Sequence, residues 1–149
     1  MTEPQHEIAP APPRAEALKA LIGQALRFGV VGVIGFLVDT ATVYGLHFGA
    51  GADLYTAGAA AYVVAASTTW ALNRAWTFSE ASKARPGRQW ALFLAVQLIG
   101  FALNRGTYAA LVTFVPLAAT HPIIAVAAGS IAGMGVNFLT ARTLVFRKR

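Results

Sequence analysis

The chain has 149 residues, of which 56% are hydrophobic and only 12% charged, about half the charged share of an average soluble domain. Twelve Lys and Arg against six Asp and Glu leave a net charge of +6, and cysteine is absent. That composition excludes disulfides, thiolate metal sites and cysteine nucleophiles, and it points to a membrane rather than to water or nucleic acid.

The first thirteen residues carry four prolines and no periodicity, so residues 1–17 read as a disordered cytoplasmic tail. Leu18, Leu21, Ile22, Ala25 and Leu26 then recur at helical spacing, with Glu16, Lys19 and Gln24 off that stripe. Residues 18–26 fit a short helix in the headgroup plane, or else a cytoplasmic extension of the first span. Four apolar runs follow, at 28–51, 54–72, 90–117 and 123–141. Each meets the roughly 20 residues that a helix needs to cross about 30 Å of hydrocarbon. The polar stretch 79–88 separates the second run from the third, with Pro86-Gly87 as a turn signal.

Eleven of the twelve Lys and Arg lie outside these runs, before the first, between the second and third, or after the fourth. The other two connections, 47–55 and 115–122, contain none. Lys- and Arg-rich short loops stay inside, so both termini are expected in the cytoplasm. Tyr44, Phe48 and Tyr55 form the outer aromatic belt, and Trp70, Trp76, Phe78 and Trp90 the inner one. The expected fold is an all-α membrane protein of four transmembrane helices.

The runs also repeat. A shift of 65 positions carries Phe28 to Phe93, Val31 to Val96, Ile34-Gly35-Phe36 to Ile99-Gly100-Phe101, Thr42 to Thr107 and Leu46 to Leu111. A shift of 68 carries Trp70 to Phe138, Arg74 to Arg142 and Phe78 to Phe146. Each repeat holds two spans, so the two hairpins enter the membrane in the same orientation, as parallel repeats with a ligand cavity between them. Gly29, Gly32, Gly35, Gly129 and Gly133, three and four apart, read as close helix packing.

Polar residues inside the runs are the candidates for chemistry. Asp39 lies roughly 17 Å into the bilayer at ~1.5 Å per residue; its repeat equivalent is Asn104, with Arg105 beside it. An intramembrane charge seeks a partner, and Asp39 with Arg105 is the expected pair, either as a clamp or as a contact for a polar substrate. At the inner ends of the second and fourth spans, Asn73-Arg74 and Asn137 with Arg142 offer amides and guanidinium forks suited to phosphate oxygens. The alternative is interfacial anchoring, with the arginines snorkelling to the headgroups. The histidines show no metal spacing, no nucleophile or nucleotide motif is present, and no second carboxylate shares a span with Asp39. These absences point to a non-enzyme that requires no cofactor.

Arg27-Phe28 with Gly32, then Asp39, then Asn73-Arg74-Ala75-Trp76-Thr77-Phe78, and finally Asn137-Phe138 through Arg142 and Val145-Phe146, resemble the GtrA-like family. The resemblance spans residues 27–146 and makes residues 27–149 a four-helix membrane domain; Leu144 departs from the family's usual aromatic. It implies a bacterial cytoplasmic-membrane protein of cell-surface polysaccharide synthesis that flips a polyprenyl-phosphate-linked sugar or assists a membrane glycosyltransferase. On that reading Arg74 and Arg142 receive the phosphate, Asn73, Asn104 and Asn137 add polar contacts, Arg105, held in place by Asp39, carries the phosphate through mid-membrane, and Trp76 or Trp70 stacks on the sugar. Four spans enclose little, so a homodimer or higher oligomer among membrane lipids is expected. A proton-coupled exporter resembling the small multidrug resistance transporters, with Asp39 as its carboxylate, is the alternative.

Overall fold

A computed structural model of the chain describes residues 13–82 and 85–147. These form α1 (Arg14–Tyr44), α2 (Leu54–Leu72), α3 (Pro86–Phe114), α4 (Pro116–Thr120) and α5 (Pro122–Thr140). Single π-helical turns follow α1, α2 and α5 at Gly45–Gly49, Asn73–Thr77 and Ala141–Val145. No strand occurs among the described residues. The N-terminal tail up to residue 12, and Lys83, Lys148 and Arg149, lie outside them.

Local chemistry sets the helix starts. Proline opens α3, α4 and α5, where its missing N–H costs nothing and its fixed φ is already helical. Asp53 caps α2 by accepting from the backbone N–H of Tyr55 at 2.9 Å and of Thr56 at 3.0 Å. The Thr56 hydroxyl also donates to it, and this bond, with the backbone ones, holds the exposed carboxyl below its ordinary range. Pro116 forces the residue before it out of the helical region, so Val115 is extended (φ −118°, ψ 105°) and α3 stops at Phe114.

Of the two readings of residues 18–26, the structure shows the extension of the first apolar run, since α1 runs without interruption from Arg14. That helix also takes in residues 14–17, assigned to the tail. Pro86-Gly87 opens α3 instead of forming a turn, and the apolar connection after the third run contains the short α4.

Residues 14–49 and 122–145 are long and apolar enough to cross a membrane, each holding an 18-residue window of mean hydropathy 1.9 and 1.7 respectively. The other two long helices are diluted. Tyr55, Thr56, Tyr62, Ser67, Thr68, Thr69 and Trp70 lower the mean in α2, and Arg88, Gln89, Gln97, Asn104 and Arg105 lower it in α3.

Packing divides the chain into two hairpins, α1 with α2 and α3 with α5. Helices among lipid tails gain nothing from hiding apolar surface, so close approach depends on small residues. Each second helix presents them at every fourth position. Ala57, Ala61 and Ala65 are buried on α2, and Ala125, Gly129 and Gly133 on α5, each 68 residues further on. The first helices reply with Gly35 and Gly100, which are 65 apart. A methyl group on Gly35 would collide with Thr69, and one on Gly100 with Asn137, which are again 68 apart. The duplication is therefore present contact by contact. Gly32, expected at an interface, faces open space.

The hairpins join at the end that carries Arg27, Arg74 and Arg142, through Phe28, Phe78, Phe93, Phe138 and Phe146. Phe78 stacks on Phe146 with centroids 4.6 Å apart and planes 11° from parallel. Those two rings are repeat equivalents, so the stack sits on the axis that relates the hairpins. Edge contacts of Phe28 to Phe138 at 5.6 Å and of Phe93 to Phe146 at 5.9 Å complete the cluster. Each such pair adds about 0.5–1.5 kcal/mol beyond area burial.

A cleft at the basic end of the bundle

The π-turns build the functional end of the molecule. At the close of each second helix the N–H of a phenylalanine reaches back five residues, Phe78 to the Asn73 carbonyl at 2.7 Å and Phe146 to the Ala141 carbonyl at 2.8 Å. The last carbonyls, of Thr77 and Val145, then need donors from elsewhere. Gln24 of α1 donates to the Thr77 carbonyl at 3.1 Å, and Gln89 of α3 donates to the Val145 carbonyl at 3.3 Å. Each glutamine in turn accepts from the arginine of the opposite hairpin. Arg142 Nη1 donates to Gln24 Oε1 at 2.7 Å, and Arg74 Nη1 donates to Gln89 Oε1.

Gln24 and Gln89 are 65 residues apart, and Arg74 and Arg142 are 68 apart. Two arginine–glutamine clasps thus cross between the repeats with their roles exchanged, the pattern that a twofold axis imposes. The clasps differ in setting. Arg74 is half-buried and lies 5.5 Å from the centroid of the Trp70 ring, while buried Gln89 also donates to the Ser82 carbonyl at 3.2 Å. Arg142 is exposed.

Beside the Arg142 clasp a cleft of about 580 Å³ opens between the first turns of α1 and the residues that follow α2. Lys19, Arg27 and Arg142 bring three cationic groups to its walls, Glu80 one acid, and Gln24 an amide. Thr77 also lines it; this residue is 3% exposed, and its hydroxyl has no hydrogen-bond partner. A buried hydroxyl normally finds a partner, so an unmet one on a cationic wall is suited to a ligand oxygen. Guanidinium forks together with a hydroxyl donor match the oxygens of a phosphate.

Of the candidate site residues singled out from sequence, Arg142 alone lines this cleft. Arg74 belongs to the other clasp. Asn73 is 2% exposed with its Oδ1 unpartnered, and Asn137 packs on Gly100 with its Oδ1 likewise unpartnered. Asn104 donates to the Ser130 hydroxyl at a long 3.4 Å, and Trp76 stays 45% exposed at the rim of the bundle. Asn73 and Asn137 are not equivalents: the 68-residue shift pairs Asn73 with Ala141 and Thr69 with Asn137, one turn apart on the same stripe.

The expected Asp39–Arg105 pair does not form within the chain. Asp39 is half-buried on α1, Arg105 is exposed on α3, and those two helices do not approach each other. The Arg105 guanidinium lies instead 5.7 Å from the Phe101 ring centroid. Equal depth places two residues in one layer but does not make their helices neighbours. Asp39→Asn and Arg105→Gln should therefore shift thermal stability additively, within about 0.5 kcal/mol. A larger coupling in a double-mutant cycle would show that the two charges meet after all.

Lys19, Gln24, Arg27, Thr77 and Gln89 escaped the sequence reading as site residues. Extending the 65-residue alignment four positions before Phe28 would have set Gln24 on Gln89, which is the signal that could have found the clasps.

No protein of curated function matches the chain. Residues 27–146, from the arginine on the cleft wall to the phenylalanine of the central stack, match the family described as GtrA/DPMS, transmembrane domain. The chain belongs to that family of membrane domains, which associates it with glycosyl-lipid or polysaccharide synthesis.

Proposed function

We propose that this chain moves a polyprenyl-phosphate-linked sugar across the bacterial cytoplasmic membrane, without catalysing a covalent step. The observation that carries the reading is the cleft: Lys19, Arg27 and Arg142 with the unmet Thr77 hydroxyl, at one end of a membrane domain tied to glycosyl-lipid chemistry. A lipid-linked sugar phosphate can reach such a cleft from the membrane surface with its tail still in lipid. The head costs most to desolvate, and three cations offset that cost where it first leaves water.

In this scheme α1, α2, α3 and α5 each cross the membrane and the basic end faces the cytoplasm. Helices of 19 residues, as in α2 and α5, span about 28 Å at ~1.5 Å per residue, close to the ~30 Å required. Reporter fusions at residues 47–55 and 115–122 should appear outside and one after residue 147 inside. A C-terminal reporter found outside would sink the orientation, and with it a cytoplasmic cleft.

The decisive experiment is reconstitution in liposomes with a labelled polyprenyl-phosphate sugar. The label should become accessible on the far side faster than in protein-free vesicles, with no nucleotide added. Rates equal to protein-free vesicles would leave the other role within this chemistry, that of a partner to a membrane glycosyltransferase. A second reading, proton-coupled export, draws on Asp39, a membrane carboxylate with Arg105 held away from it. It requires that Asp39→Asn abolish transport driven by a pH gradient while leaving polyprenyl lipids untouched.

A further inference from the structure

Two seams run along the bundle where one hairpin meets the other, α2 against α3 and α1 against α5, and the twofold relation makes them equivalents. They are not alike. The α2/α3 seam is stitched at two levels: the Trp90 indole N–H donates to the Ser67 hydroxyl at 2.9 Å, and the Tyr62 hydroxyl donates to the Leu94 carbonyl at 2.7 Å. The same shifts of 65 and 68 place Ala25 and Gly135, then Gly29 and Ser130, at the corresponding positions of the α1/α5 seam. Both large side chains of the stitched seam are lost there, and with them both bonds.

The α1/α5 seam is correspondingly loose. The two helices approach over less of their length than α2 and α3 do. A methyl group on Gly29 would come no nearer to α5 than 3.7 Å, at the flexible Met134 sulfur, and one on Gly23, Gly32 or Gly135 would meet nothing within 4 Å. The seam also leads to the cleft, because Gly23, Gln24 and Arg27 of α1 and Arg142 beyond α5 line it. Thr77, whose buried hydroxyl has no partner, lines the cleft at the head end of the same path.

We propose that the α1/α5 seam is a lateral portal, through which the isoprenoid tail of a lipid whose phosphate sits in the cleft passes out into the bilayer. The inference rests on the proposed phosphate site and adds the route of the tail. The cleft lies between α1 and the residues that follow α2, so a tail attached to a phosphate there needs an opening between helices if it is to stay in lipid and clear of the packed aromatic end. The small residues of α1 and α5 leave an apolar slot open to lipid, while the opposite seam is sealed by hydrogen bonds.

Two probes separate the head from the tail: geranyl phosphate, short enough to remain in the cleft, and a long-chain polyprenyl phosphate in nanodiscs. A photo-crosslinking residue at 135 should capture the long-chain probe, and the same residue at the equivalent position 67 should not. Gly135→Trp should lower long-chain affinity by at least about tenfold while leaving geranyl phosphate binding near wild type, which also reports that the variant is folded. Met134→Trp, at a neighbouring position on the same helix, provides a second plug should Gly135→Trp bind neither probe. Equal capture at 135 and 67, or unchanged long-chain affinity in folded plug variants, overturns the portal and leaves the head site standing. Failure of the wild type to bind either probe overturns the head site, and the portal with it.

Discussion

Arg142→Ala is expected to weaken binding of a polyprenyl phosphate by about ten- to a hundredfold, the worth of one or two charge-assisted hydrogen bonds. Its thermal stability should stay close to wild type, because Arg142 is exposed and Gln24 keeps its bond to the Thr77 carbonyl. Arg74→Ala should behave in the opposite way. It leaves the buried Gln89 carbonyl oxygen without its arginine and removes the guanidinium from Trp70, together about 1–4 kcal/mol of stability. Affinity of the folded Arg74→Ala fraction should change little. Arg74→Lys should recover only part of the lost stability, since an ammonium lacks the planar fork. Parallel measurement of unfolding temperature and lipid-phosphate affinity decides the matter. Equal loss of affinity in both alanine variants would return Arg74 to the phosphate site and break the asymmetry of the two clasps.

The second large effect concerns helix contact. A methyl group on Gly133 would lie 2.7 Å from the Gly100 carbonyl oxygen, and one on Gly129 would lie 2.6 Å from that of Asn104. Backbone cannot swing aside as a side chain can, so Gly133→Ala must push α5 away from α3. A cost of about 1–3 kcal/mol follows from overpacking of this kind, and the aromatic end should loosen with it. Gly106→Ala is the control, with nothing within 4 Å of the added methyl group and a gain in helix propensity of up to about 1 kcal/mol. Unfolding in detergent, followed by tryptophan fluorescence, should rank Gly133→Ala well below wild type and Gly106→Ala at or above it. If both alanines are neutral, the two helices are not held at glycine distance.

Much of this architecture could be read from one-dimensional pattern. The repeat of Phe28 on Phe93 and of Phe78 on Phe146 announced the two hairpins, and the structure places both pairs in one aromatic cluster. The equivalence of Arg74 and Arg142 was likewise visible, but not that each crosses to the other hairpin. A linear shift relates positions and carries no information on which neighbour a side chain chooses. Asn73 and Asn137 both stand near an inner arginine, yet the shift of 68 sets Asn73 on Ala141 and Thr69 on Asn137, so they share a stripe and not a position. Asp39 and Arg105 were matched by depth, yet they stand on helices that do not touch. Lys19 was visible as a residue off the apolar stripe of 18–26 and Arg27 as the opening of a family motif, neither as part of a site. Their place on the cleft wall depends on α1 starting at Arg14, thirteen residues before the family's stretch begins.

The crossed clasps bear on ancestry. Each hairpin closes its own helix end with its glutamine, but the oxygen of that glutamine is met only by the arginine of the other hairpin. A lone two-helix peptide could make the same bonds only by meeting an identical copy about a twofold axis. In such a homodimer every substitution appears on both sides, and the two seams must be open together or shut together. Gene fusion lifts that restriction. Once the copies share one chain, Trp90 and Tyr62 can bolt one side while Ala25, Gly29 and Gly135 keep the other ajar, an asymmetry closed to the undivided ancestor.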